Sequence, residues 1–229
     1  MSKLRVRVRR SDADSTELFE VDRTDPMMVL DVLLAIQRQD DASLGFRFSC
    51  RVAMCGTCTV RLDGRSVLAC QTPVPTDTSE IRLDPLAGLP VVRDLIVDTG
   101  PFWQQWAQVT PYLVPRDDLT EPAQIEPDSE ERQLIDRSLD CIGCAACFSS
   151  CGIADSGRTF LGPAALNRAM VLIADSRDSS AEERMGEVSG QAGIDSCHYM
   201  YGCTSVCPKG LDPAGAIRQL RSWRLHGRP

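Results

Sequence analysis

Cysteine spacing constrains this chain more than any other feature. Its eleven cysteines form three groups: Cys50, Cys55, Cys58 and Cys70; Cys141, Cys144, Cys147 and Cys151; Cys197, Cys203 and Cys207. An odd count fits a disulfide framework poorly, and thiols in a reducing compartment stay reduced, so metal ligation is the favoured reading.

The first group has the spacing C-x4-C-x2-C with a distant fourth cysteine, which is the plant-type [2Fe–2S] pattern. A short irregular loop wraps one side of a flat cluster, and the fourth thiolate arrives from the far strand of a hairpin turning at Asp63-Gly64. Gly56 and Thr57 are expected to let backbone N–H groups approach the sulfurs. A structural zinc site is the competing reading; it favours paired C-x2-C knuckles, and only Cys55/Cys58 makes one.

The second group, C-x2-C-x2-C-x3-C, is the bacterial ferredoxin run, whose fourth cysteine serves the other cluster of a pair. Cys197-x5-Cys203-x3-Cys207-Pro208 is the same run with Met200 at the middle cysteine position. Ligand exchange then assigns Cys141, Cys144, Cys147 and Cys207 to a [4Fe–4S] cluster. It leaves Cys151, Cys197 and Cys203 for a three-thiolate [3Fe–4S] cluster with Met200 at the open corner. No cysteine is left over. A labile fourth iron at that corner would instead make a hydro-lyase-like enzyme. The small residues Gly143, Ala145, Ala146 and Gly202 relieve crowding beside the ligands or bring backbone dipoles closer to them.

The remaining sequence divides into two halves. Residues 1–110 read as a small α+β domain. Leu4, Val6 and Val8 alternate as a strand with Leu18–Val21 as its hairpin partner. Asp25-Pro26 is expected to cap a helix carrying Val29, Leu30, Leu33, Leu34 and Ile36. Strands at 59–62, 66–69 and 81–83 complete the domain. Residues 111–130, acidic and proline-rich, read as an extended linker. Residues 131–229 read as helical, with helices at 131–139, 163–173 and 213–223; Leu166, Met170 and Ile173 mark one apolar stripe, Ile217, Leu220 and Trp223 another.

A net charge of −7 argues against nucleic acid as a partner, although Arg218, Arg221 and Arg224 form a candidate basic face. The N-terminus lacks an apolar h-region, and no stretch approaches the roughly 20 apolar residues of a membrane span, so the chain reads as soluble and cytosolic by itself.

In combination, several motifs resemble the iron–sulfur subunit of succinate dehydrogenase and fumarate reductase, the succinate:quinone oxidoreductase family. They are Ser49-Cys50-Arg51 with Cys55-Gly56-Thr57-Cys58, Leu68-Ala69-Cys70, Pro90–Asp98 with Phe102-Trp103, Cys141-Ile-Gly-Cys144-Ala-Ala-Cys147, Leu161-Gly-Pro163, Asp175–Asp178, and Cys197-His198 through Cys207-Pro-Lys-Gly-Leu-Asp-Pro213. The resemblance implies a β-grasp plant-type ferredoxin domain followed by an all-α two-cluster ferredoxin domain, with the ligand sets given above. It also implies a partner flavoprotein bearing FAD, where the substrate chemistry of the tricarboxylic acid cycle step occurs, and a membrane-anchor subunit with quinone, haem being a further candidate there. This chain would then lie at the cytoplasmic face of the membrane through the anchor. His198 is carried over to the region of the terminal cluster and quinone. Where the family has Pro and then Trp after the cysteine matching Cys151, this chain has Gly152-Ile153-Ala154-Asp155, so quinone contacts there are not carried over. The segment Arg51–Met54 likewise lacks the acidic residue and glycine common in the family. The alternative to the membrane complex is the same electron wire serving a soluble flavoprotein with another substrate or acceptor.

Overall fold

The computed structural model describes residues 2–11, 15–118, 123–156 and 159–227, so part of the expected linker, 119–122, lies outside the described residues. The chain divides into two compact units, Met1–Thr99 with Ile142–Ser150, and Gly100–Cys141 with Cys151–Pro229.

The first unit is built on five strands: β1 (Lys3–Arg9), β2 (Thr16–Asp22), β3 (Thr59–Leu62), β4 (Arg65–Leu68) and β5 (Glu80–Asp84), in the order β2-β1-β5-β3-β4. β1 pairs antiparallel with β2 and parallel with β5, and β3 is antiparallel to both β5 and β4. Period-two alternation along β1 sends Leu4, Val6 and Val8 into the core, each with no exposed surface. The helix α1 (Val29–Gln39) adds Val29, Leu30, Val32, Leu33, Leu34 and Ile36 to the same core. Each such fully buried aliphatic side chain contributes about 1.5–3 kcal/mol relative to exposure.

The helix does not begin at Asp25-Pro26 as expected. Residues 27–29 pair with 72–74 first: Val74 N–H donates to Met27 O and Val29 N–H to Thr72 O, both at 2.9 Å. These bonds hold the chain extended until Met28, whose N–H donates to Asp31 Oδ2 at 2.9 Å and closes the first turn. A second hairpin, β6 (Val91–Arg93) with β7 (Ile96–Val97), turns at Asp94. The Asp94 carboxylate is 2% exposed and accepts from the N–H of Gly45 (2.7 Å) and of Ser11 (3.0 Å), tying this hairpin to the sheet.

The second unit is helical: α2 (Gly100–Ala107), α3 (Glu130–Leu139), then α5 (Gly152–Asp155), α6 (Gly162–Ala174), α7 (Ala181–Val188), α8 (Gly202–Ser205) and α9 (Pro213–His226), with the short α4 (Ala146–Ser149) belonging to the first unit. α2, α3, α7 and α9 all pack on α6. The expected one-sided stripe on α6 is therefore too narrow a description: Leu166, Met170 and Ile173 are buried, but so is every other position except Arg168. On α9, Ile217, Leu220 and Trp223 are buried as the pattern required.

Residues 111–118 are not free of the helices. Val114 N–H donates to Asp178 Oδ2 (3.1 Å), and Ser179 N–H donates back to Val114 O (2.8 Å). Behind this turn lies Arg184, with no exposed side chain, paired to Asp178 at 2.9 Å and donating to the carbonyls of Val109 and Thr110. No helix among the described residues is long and apolar enough to cross a membrane.

Candidate metal centres

In the first unit, residues 50–58 form a loop in which left-handed residues recur. Arg51 (φ 59°), Ala53 (φ 54°) and Gly56 (φ 69°) interrupt the ordinary backbone, and such alternation turns successive N–H groups inward to make an anion-binding concavity. The N–H groups of Val52, Met54 and Cys55 converge on Cys50 Sγ at 3.5, 3.3 and 3.3 Å. Gln71 Nε2 donates to Arg51 O at 3.0 Å and fastens the loop to the end of the β3–β4 hairpin. Ala69 N–H donates to Cys58 O at 3.1 Å, which sets Cys70 beside Cys58.

Cys55 and Cys58 are driven in opposite directions. The Thr57 hydroxyl, 3.1 Å from Cys55 Sγ, is the largest cause pulling the Cys55 pKa down to about 6, followed by the hydrogen bond with Cys50. Burial pushes Cys58 up to about 12, because the interior disfavours a lone thiolate. A bound iron would supply the compensating charge such a buried thiolate needs.

Gly56 has a further part beyond the one expected. It faces Cys144, whose Cα would lie 2.8 Å from a Cβ at position 56. The glycine is thus required for close packing of the cluster loop on the segment 142–150. The Thr57 backbone does reach a thiol, that of Cys55.

In the second unit, Cys151, Cys197 and Cys203 lie within one another's electrostatic reach. Burial raises Cys203 to about 11 and also raises Cys197. The other four cysteines divide between the units, Cys144 and Cys147 in the first, Cys141 and Cys207 in the second. Cys207 Sγ accepts from Leu211 N–H at 3.4 Å. No three His, Cys, Asp or Glu side chains among the described residues gather tightly enough for a single ion. The N–H donors aimed at Cys50 Sγ suit an iron–sulfur cluster, whose sulfurs accept such bonds.

The two ferredoxin runs share one backbone mould. Around Cys144, the flanking residues Gly143 (φ 63°) and Ala145 (φ 60°) are left-handed; around Met200, so are Tyr199 (φ 53°) and Tyr201 (φ 57°). α4 and α8 follow at the same offset, and the bonds Ser149 N–H to Ala145 O and Ser205 N–H to Tyr201 O are both 3.0 Å. Met200 therefore stands in a position shaped for a ligand cysteine. Its side chain is 86% exposed. His198 is also exposed. Sequence reasoning missed this mould, although aligning the two runs would have set Gly143 against Tyr199 and Ala145 against Tyr201.

The C-terminal arginines are not all a free basic face. Arg221 donates to the carbonyls of Ile194 and Cys197, and Arg224 pairs with Asp195 at 2.8 Å. The Arg224 guanidinium holds the Asp195 carboxyl below the usual carboxylate range.

Residues 3–104 match the model of the 2Fe-2S iron-sulfur cluster binding domain, and residues 137–211 that of the 4Fe-4S dicluster domain. The protein is thus an iron–sulfur electron carrier of α+β architecture, a [2Fe–2S] domain followed by a dicluster domain. Over 206 residues, 88% of this chain and 66% of the relative, it is 41% identical to the mitochondrial succinate dehydrogenase (ubiquinone) iron-sulfur subunit 2 of Oryza sativa subsp. japonica. Subunit 1 from the same organism is 38% identical over 90% of this chain and 75% of the relative. A chain of the Mycobacterium smegmatis Sdh1 complex in the apo form superposes with a TM-score of 0.85 at 25% identity, covering 100% of this chain and 98% of that one. This chain belongs to the succinate dehydrogenase iron–sulfur subunit family. It spans about two thirds of the length of the first of these relatives.

Proposed function

We propose that this chain is the electron-transfer subunit of a succinate:quinone oxidoreductase, passing single electrons between a partner flavoprotein and membrane quinone. The observation that carries the reading is the pair of matching moulds, one holding Cys144 and the other Met200. A wire that ends in a three-thiolate cluster needs that asymmetry. When bound, the clusters supply one-electron centres whose potentials are set by cluster type and surroundings.

This chain's residues hold those centres as follows. Cys50, Cys55, Cys58 and Cys70 take the [2Fe–2S] cluster, with the N–H groups at Cys50 Sγ offsetting its negative charge. Cys141, Cys144, Cys147 and Cys207 take [4Fe–4S], an assignment supported by run spacing. Cys151, Cys197 and Cys203 take [3Fe–4S], supported also by their grouping in the second unit. His198 and Met200 border that terminal cluster. In domain terms, residues 1–110 form the [2Fe–2S] domain, 111–130 the linker and 131–229 the two-cluster domain. Succinate chemistry belongs to the FAD subunit, and a quinone-bearing anchor holds the chain peripherally at the cytoplasmic face of the membrane.

Anaerobic purification from the native membrane tests the reading. Co-purification with a flavoprotein and a hydrophobic quinone-bearing subunit is expected, with about nine irons on this chain and a near-isotropic [3Fe–4S] signal when oxidised. A flavoprotein without an anchor would favour the soluble wire instead. Zinc, or disulfides, in place of the iron would defeat both.

A further inference from the structure

Arg221 lies on α9, whose Leu220 and Trp223 are buried and fix its position. From there its guanidinium reaches the turn Ile194–Ser196 that leads into Cys197. Nε donates to Ile194 O at 2.9 Å, and Nη2 donates to Ile194 O at 2.5 Å and to Cys197 O at 3.0 Å. The same plane stacks over the Tyr199 ring, 4.8 Å from its centroid. Tyr199 is one of the two left-handed residues that shape the Met200 position. One side chain thus grips the residues before the thiol, the ligand's own carbonyl, and the residue that begins the mould.

We infer that Arg221 is the positioning residue of the terminal cluster, fixing Cys197 and favouring the cluster's reduced state through its charge. The inference rests on the assignment of Cys151, Cys197 and Cys203 to [3Fe–4S]. Reduction adds one negative charge to the cluster, and a fixed cation beside a ligand stabilises that state more than the oxidised one. Arginine suits the task because its planar fork donates several bonds and stacks while keeping its charge. Arg224 makes a poorer candidate, since its charge is matched by Asp195.

An EPR-monitored redox titration of the intact complex tests this. Arg221→Gln is expected to make reduction of the [3Fe–4S] cluster about tenfold harder, a fall of about 59 mV for one electron. Arg221→Lys restores the charge without the fork, so the equilibrium returns to within about threefold of wild type while the line shape stays altered. Arg224→Gln leaves the potential in place. Wild-type behaviour in Arg221→Gln overturns the inference, as does an equal fall in Arg224→Gln or in Arg221→Lys. Should Arg221→Gln fail to hold the cluster, Arg221→Lys decides alone: an altered line shape supports the inference and an unaltered one defeats it. Absence of the [3Fe–4S] signal from the wild-type complex would overturn the three-thiolate assignment and this inference together. Its presence with unaltered variants overturns the inference only.

Discussion

Gly56 and Cys144 are in direct backbone contact: a side chain begun at Gly56 would start 2.8 Å from Cys144 Cα and 2.7 Å from its Cβ. One belongs to the [2Fe–2S] loop and the other to the bacterial ferredoxin run. Gly56→Ala meets both this clash and a positive φ of 69°, each of which disfavours a side chain. The expected outcome is a loss of about 1–3 kcal/mol in stability, with the [2Fe–2S] EPR signal broadened because the loop must shift. Urea unfolding and EPR of the purified variant check it; a wild-type spectrum and midpoint would contradict it.

Met200→Cys places a thiolate where the backbone already has the shape found around Cys144. Iron content is expected to rise from about nine to about ten per chain, and the near-isotropic oxidised signal to disappear in favour of a [4Fe–4S] signal on reduction. Persistence of the original signal would show that the corner is not at residue 200.

Arg184 and Asp178 form an ion pair with neither side chain exposed. Removing one partner leaves a buried charge without compensation, so Arg184→Met is expected to cost about 3–5 kcal/mol. Asp178→Leu added to it should recover part of that loss, because the remaining charge is then gone as well. Denaturant titration of the two variants distinguishes this from simple loss of packing, in which case the second change would only add to the first.

Acid stability offers a fourth test. Glu80 bridges Arg7 at 2.5 Å and Arg5 at 2.9 Å, and the hydrogen bond from Arg7 holds its carboxyl below the usual 4.5. A depressed folded-state pKa stabilises the fold above the unfolded-state value and loses that contribution as pH falls through the folded one. Unfolding midpoints measured from pH 7 down to pH 3 should therefore fall less steeply in Glu80→Gln than in wild type. Parallel curves would show that the pair contributes nothing, as exposed pairs sometimes do.

Much of this architecture was legible because it rests on periodicity and spacing. The alternation of Leu4, Val6 and Val8, the Asp63-Gly64 turn and the cysteine intervals are each local, and each fixes a local geometry. What stayed hidden depends on contacts between distant residues. The start of α1 moved from Asp25-Pro26 to Val29 because residues 72–74 pair with 27–29. The importance of Gly56 lies in Cys144, far along the chain. Arg221 reads in the sequence only as part of a basic face and Arg184 gives no signal at all, since nothing near them in sequence shows which carbonyls they will meet. The left-handed residues at Tyr199 and Tyr201 carry no compositional signal, because tyrosine rarely adopts that conformation.

The mould around Met200 has a consequence for how such wires diversify. Its shape is set by neighbours on either side, so the residue in the slot is free to vary without refolding anything around it. On the proposed ligand assignment, nuclearity, and with it the voltage at which the last relay operates, becomes a one-codon adjustment on a frame that need not change.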